Sequence, residues 1–295
     1  QVNKMLDDER ISAVSFVGST DVARQIYTNS TKNGKRCQAL GGAKNHALVL
    51  SDAKISQAID QLISAAFGSS GQRCMALSVV MVEKKIKQPF MDNLITKVKS
   101  LKVGFQKLES NSYGPLVSDD HLNNVQNYIK LAEEEGSKII LDGREINDRR
   151  NNDKKGYFLG PTLIDSVKPN MKSYLNEIFG PVLQIIEIDD VEEGIQIINK
   201  NSFGNGCCIF TENGNNAREF SEKVDIGMVG VNIPLPVPSS FHSFGGWKNS
   251  LFGDLNIYGP DGLRFYTRRK TITQRWFGSN DLSEINLSMP SNQKN

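Results

Sequence analysis

Two hydrophobic rhythms alternate along the chain: short runs rich in Val, Ile and Phe, and longer stretches where apolar residues return every three or four positions. AVSFV (13–17) predicts a strand, Gly18, Ser19 and Thr20 a turn, and the pattern over 21–29 a capped helix, together one β-α unit. Residues 37–40 and 47–50 read as short strands on either side of GGAKNH. Asp52 stands where an N-cap would, before a helix over 53–67 whose apolar stripe is Ile55, Ala58, Ile59, Leu62, Ile63 and Ala66. Strand patterns over 77–82, 138–141, 162–167, 182–188, 207–210 and 228–231 then alternate with helical patterns over 87–101, 121–135, 191–199 and 215–224. This alternation predicts an open α/β architecture. The late segment LRFYTRRKTITQRW (263–276) breaks the rhythm and reads as an edge strand able to pair with another subunit. REINDRRNNDKK (144–155) reads as a solvated loop, and the stretch from about 278 as a polar, disordered tail.

Composition narrows the classes of function. With 295 residues and 38% hydrophobic content a sizeable core is possible, in one large domain or two ordinary ones. A net charge of +2, spread along the chain, gives no reason to expect nucleic acid. No apolar run reaches the roughly 18–20 residues that span a bilayer, and QVNKMLDDER is neither a signal peptide nor an Arg-rich transit peptide. The four cysteines (Cys37, Cys74, Cys207, Cys208) form no CxxC pair, and His46, His121 and His242 stand far apart, so no metal site is expected. Cys207 and Cys208, in GCCIF, read as small core residues, and so few cysteines suit a reducing compartment.

Cys74 sits in SSGQRCMALS, where small residues can form a tight loop with exposed N–H groups and Arg73 stands adjacent. Both would lower a thiol pKa from about 8.5. Taken alone, such a cysteine is more often structural. Its company changes that. SFVGSTDVA (15–23), ALGGAKNHALVL (39–50), GQRCMALS (71–78), NEIFGPVL (176–183), FGNGCCIFT (203–211) and GWKNSLFGD (246–254) follow in order. In order and spacing they resemble the aldehyde dehydrogenase superfamily across nearly all of 10–276. GGAKNH, QRCMALS, NIPLPVP, SLFGD and FYTRRKTITQRW look most like its CoA-acylating methylmalonate-semialdehyde dehydrogenases.

The resemblance implies an aldehyde dehydrogenase-like α/β fold: the end of a Rossmann-type cofactor domain (1–42), an α/β catalytic domain (43–248), a bridging and oligomerisation strand (249–276) and a polar tail (277–295). It implies oxidation of methylmalonate or malonate semialdehyde to propionyl-CoA or acetyl-CoA, with CO2 release and reduction of NAD. Cys74 would be the nucleophile, its own N–H half of the oxyanion hole. Glu177 would hold the nicotinamide ribose, Phe179 would pack on the nicotinamide, and Gly18 and Ser19 would face the pyrophosphate. Val22 would wall the adenine pocket, and Leu40 would stand beside the nicotinamide. Ordinary roles stay open: Phe179 as core, Ser19 as a cap, Glu177 as a surface carboxylate.

Hydrolytic relatives usually carry Glu-Leu-Gly-Gly, where the Glu activates water; here Ala39 stands first, followed by Leu40, Gly41 and Gly42. A thioester on Cys74 would then wait for CoA. Arg73 either recognises the substrate carboxylate or props the loop and tunes the thiol. The family begins well upstream of Gln1, so the early cofactor-domain strands, the Asn completing the oxyanion hole and a Lys near the adenosine ribose are expected to be missing. On that expectation the chain alone binds NAD poorly, and either a hydrolytic dehydrogenase or a non-catalytic assembly subunit is the alternative. The resemblance further implies a homo-oligomer (a dimer of dimers through the late strand), located in the mitochondrial matrix in a eukaryote or the cytoplasm in a bacterium, with no nucleic-acid or membrane partner.

Overall fold

The computed structural model describes residues 1–105, 111–145, 156–274 and 276. In chain order the elements that frame the site are α1 (Val2–Asp7), β1 (Ala13–Val17), α2 (Thr20–Lys32), β2 (Arg36–Leu40), β3 (Asn45–Val49), α3 (Ile55–Phe67), β4 (Leu77–Glu83), α4 (Lys87–Lys99), α5 (Asp119–Glu134), β5 (Lys138–Leu141), β6 (Thr162–Asp165), α6 (Lys172–Leu175), β7 (Val182–Ile188), α7 (Val191–Lys200), β8 (Phe203–Gly204), β9 (Gly206–Phe210), α8 (Gly214–Lys223), β10 (Met228–Val231), β11 (Trp247–Lys248), β12 (Leu251–Phe252) and α9 (Gly259–Tyr266).

The main sheet runs β10-β9-β3-β4-β7-β6-β5, parallel except for the antiparallel β5–β6 edge. Its central strands are apolar on both faces because both are covered, as parallel sheets require. Along β4 the side chains alternate: Val79 and Met81 join Val125 and Ile129 of α5 on one face, while Val80 and Val82 join Ile59 and Leu62 of α3 on the other. A smaller sheet, β1-β2-β12, pairs β1 and β2 in parallel and adds β12 antiparallel. Only Gly41 to Lys44 separate β2 in the small sheet from β3 in the large one. The C-terminal ends of β1 and β2 are thereby brought against the N-terminal ends of β3, β4, β7 and β9. Among the described residues no helix is long and apolar enough to cross a membrane.

Two expectations need correcting. Asp52 does not cap α3: its carboxylate accepts from the Thr211 hydroxyl and the Glu212 N–H, and the helix begins after Lys54 without a side-chain cap. Asp52 thus ties β9 to the end of β3 instead. The late segment is not a strand from 263. Pro260, in the first turn with its φ already helical, starts α9, which carries residues 263–266. Residues 267–274 pair with no strand among the described residues. The Arg36 guanidinium instead holds the Arg264 and Thr267 carbonyls at the helix end. The short strands β11 and β12 went unread because two residues carry no periodicity. Most of the predicted loop 144–155 and the tail from 277 lie outside the described residues.

Candidate active site

Gly68 to Gly71 make a tight 3-10 turn in which Ser69, Ser70 and Gly71 all have positive φ, 54°, 58° and 68°. L side chains rarely adopt this conformation, so two consecutive serines in it mark stored strain. The Ser70 hydroxyl is anchored to the Gly114 carbonyl at 2.7 Å, and a Cβ on Gly71 would lie 2.1 Å from the Gly180 carbonyl. The turn therefore presses the loop before β4 against the loop before β7. Cys74 follows it, exposed, while Cys37, Cys207 and Cys208 are buried.

Cys74, Arg73, Ala43, Glu177 and Phe179 line one narrow cleft. The Glu177 carboxylate accepts the Ala43 N–H at 2.9 Å, and its other oxygen would lie 2.4 Å from a Cβ on Gly42. Gly42 is there because nothing larger fits under that carboxylate. Its N–H donates to Thr20 Oγ1 at 2.9 Å, and its carbonyl accepts from the Ser250 hydroxyl. A continuous chain of contacts thus runs from the start of α2 to Glu177. Burial pushes Glu177 above the usual carboxylate range, opposed by the Ala43 N–H and the nearby Lys44 cation. Phe179 holds φ 57° and is 38% exposed, its carbonyl bonded to the His121 ring at 2.7 Å. A large aromatic kept half open in a left-handed conformation is not ordinary core.

The thiol departs from expectation. Burial, the largest influence, pushes Cys74 up and Glu177 adds to it; the N–H groups of Cys74 and Met75 pull it down. Arg73 is not the charge acting on it. Its Nε donates to Ser69 Oγ at 3.0 Å and its guanidinium folds over Gly68, so it braces the strained turn.

Gly18, Ser19, Val22 and Leu40 belong to the smaller sheet and its helix. The Gly18 N–H is given to the Leu40 carbonyl at 3.1 Å, which ties the turn before α2 to the end of β2. Ser19 is the N-cap residue of α2 but makes no side-chain cap, which leaves first-turn N–H groups open. Val22 is 43% exposed on that turn.

Ala39 also needs correction. It is fully buried with Leu6, Ala23 and Ile26 beneath α2. Strand alternation turns the next side chain, Leu40, to the opposite face, where it packs with Met75, the neighbour of Cys74, and with Phe244. The β2 side chain on the face of Met75, the neighbour of the thiol, is Leu40, one residue on from the position inferred by motif. A leucine can no more take a proton than an alanine, so the chemical consequence is unchanged.

The polar residues that the motif reading passed over lie in KNH, where three polar side chains lead into a buried strand. Lys44 is buried and donates to the Ser173 and Asn176 carbonyls at 3.0 and 2.8 Å, fixing the approach to Glu177. Burial lowers its pKa to about 7, with Glu177 opposing. The His46 ring bonds the Tyr174 hydroxyl at 2.9 Å, and burial, reinforced by Lys44, lowers it to about 3. The unfolded chain binds this proton near pH 6.5 and the folded one does not, so stability is fullest above pH 6.5 and falls as pH drops toward 3. His46→Gln is expected to flatten the pH dependence of urea unfolding between pH 6.5 and 4, removing about 3 kcal/mol of it at most. Identical slopes for wild type and variant would remove His46 from this role.

The match to the aldehyde dehydrogenase family model spans residues 1–272. The chain belongs to that family. It is 49% identical to a malonate-semialdehyde dehydrogenase of Pseudomonas aeruginosa over 278 residues, 93% of this chain and 55% of that protein. The crystal structure of a methylmalonate-semialdehyde dehydrogenase from Oceanimonas doudoroffii superposes with a TM-score of 0.91 at 50% identity, covering 94% of this chain and 57% of that one. A betaine aldehyde dehydrogenase from Staphylococcus aureus in complex with NAD+ gives a TM-score of 0.83 at 27% identity, over 90% of this chain and 52% of its own. The chain spans a little over half the length of the relatives it matches.

Proposed function

We propose that this chain carries the thiol and nicotinamide-facing half of an NAD-dependent, CoA-acylating methylmalonate- or malonate-semialdehyde dehydrogenase. The observation that carries it is the cleft itself: Cys74, Glu177 and Phe179 converge there, and the β2 residue packed with Met75, the neighbour of the thiol, is Leu40 rather than a base. The residues suit a dinucleotide. Glu177 keeps one oxygen off its Ala43 bond, Phe179 and Val22 are open apolar surfaces, and α2 offers uncapped N–H groups to a phosphate.

The Cys74 sulfur forms a bond to the aldehyde carbon, and the carbonyl oxygen takes the electron pair and faces the Cys74 N–H. NAD held by Glu177 and Phe179 would supply the hydride acceptor for that carbon. A thioester then remains on Cys74; its β-carboxylate leaves as CO2, the C–C electron pair passing into the thioester enolate, which takes a proton from water, and a CoA thiolate displaces the acyl group and frees the Cys74 thiolate. Leu40 and Met75 keep an apolar wall beside the thioester, which slows water. Arg73, at the mouth, recognises the substrate carboxylate while bracing the loop. The exposed side chains of Leu263, Ile272 and Trp276 form the surface through which copies of the chain assemble.

The test is NADH formation from methylmalonate semialdehyde by the full-length enzyme, with and without CoA. Sustained turnover only with CoA is expected. A hydrolytic reading is favoured by one feature, the raised Glu177 carboxylate in the same cleft, and multiple turnovers to free acid without CoA would establish it.

Gly42→Ala tests the role of Glu177. Its methyl must displace the carboxylate, and loss of one hydrogen bond to a charged group is expected to weaken NAD binding about tenfold or more. Calorimetric titration with NAD checks this; unaltered affinity would detach Glu177 from the cofactor.

A further inference from the structure

The carbonyl of Cys74 is held in a way its chemistry does not obviously require. It accepts the side-chain amides of both Asn45 and Asn205, each at 2.9 Å. The two come from separate strands, Asn45 from the head of β3 and Asn205 from the turn before β9, and both are buried. Asn45 is fixed in turn, donating to the Ala76 carbonyl at 2.9 Å and accepting the Gly206 N–H at 3.0 Å. The Asn205 amide also lies 3.0 Å from the Met75 sulfur.

A planar trans peptide points its C=O and N–H in opposite directions, and no peptide bond described is cis. With the Cys74 carbonyl drawn between the two asparagines, the N–H of the same peptide, that of Met75, is turned to the other side, where it reaches the Cys74 sulfur. Hydrogen bonds accepted at the oxygen also polarise the unit and strengthen its N–H as a donor. We propose that Asn45 and Asn205 are positioning residues for Cys74: by gripping the Cys74–Met75 peptide from two strands they aim the Met75 N–H at the sulfur and hold the thiolate. This rests on the reading of Cys74 as nucleophile. It explains what opposes the burial that pushes this thiol up.

The experiment is the pH dependence of Cys74 alkylation by iodoacetamide in this chain, followed by peptide mass spectrometry, with no cofactor added. Asn205→Ala removes one donor and leaves the Gly206 N–H its acceptor. Its alkylation midpoint is expected to rise by on the order of one pH unit, with the limiting rate at high pH unchanged. Asn45→Asp, which keeps an acceptor for Gly206 but loses the donor, shifts in the same direction. Ile129→Val, a core change remote from the loop, lowers Tm and leaves the midpoint where it was. An unchanged midpoint in both asparagine variants, with native circular dichroism, overturns the proposal. The nucleophile reading fails separately, if alkylating Cys74 in the full-length enzyme leaves turnover intact.

Discussion

Cys74→Ala in the full-length enzyme is expected to lower semialdehyde oxidation by roughly 10⁴-fold or more, because covalent capture is lost and no residual thiol can substitute. Cys37, Cys207 and Cys208 are all buried, and burial pushes each thiol above its ordinary range. Cys74 is raised too, so only a small fraction is thiolate at neutral pH. The acylation rate in the wild type should therefore climb as pH rises toward the thiol pKa, and that limb should vanish in the variant. Stopped-flow measurement of the NADH burst against pH checks both points. A burst that survives in Cys74→Ala would place the chemistry elsewhere.

The second large effect separates adjacent residues. Leu40→Glu puts a carboxylate on the face shared with Met75 beside the thiol, where burial raises its pKa and makes it an effective base. It should release free acid without CoA over many turnovers, at a stability cost of roughly 2–3 kcal/mol. Ala39→Glu puts the same group between β2 and α2 among Leu6, Ala23 and Ile26. That variant should lose about 3–5 kcal/mol and keep its CoA requirement. Acid release and urea unfolding, measured on both, decide the register. CoA-independent turnover in Ala39→Glu alone would restore the motif-based position.

That one-residue difference shows where sequence reading stops. The motif gave the order Ala-Leu-Gly-Gly, but which of two neighbouring side chains faces the thiol depends on the pleat of β2 and on what packs on each side. The strand order was equally out of reach: β3 and β4 are neighbours in sequence, whereas β9 pairs with β3 from the other side across well over a hundred residues. By contrast β1, β5, β7 and β10 were legible to the residue, since each is a short apolar run bounded by turn-forming or charged residues. Cys74, Glu177 and Phe179 were legible through their motifs, and the structure brings them into one cleft. Asn45, Asn205 and Lys44 were not, because a buried asparagine is written like a surface one until its partners are seen. The only hint was the run KNH immediately before a strand too apolar to be at the surface. The start of the late segment misled for a related reason: alternation over 263–276 suits a strand, but 263–266 complete the helix that Pro260 starts.

The most direct measurement of the central claim is intact and peptide mass spectrometry of the full-length enzyme, quenched after mixing with methylmalonate semialdehyde and NAD in the absence of CoA. The account predicts an acyl adduct on Cys74 that accumulates to one per chain and disappears when CoA is added, with the acyl group recovered as its CoA thioester. No adduct on Cys74, or an adduct that decays to free acid as quickly without CoA as with it, would contradict it.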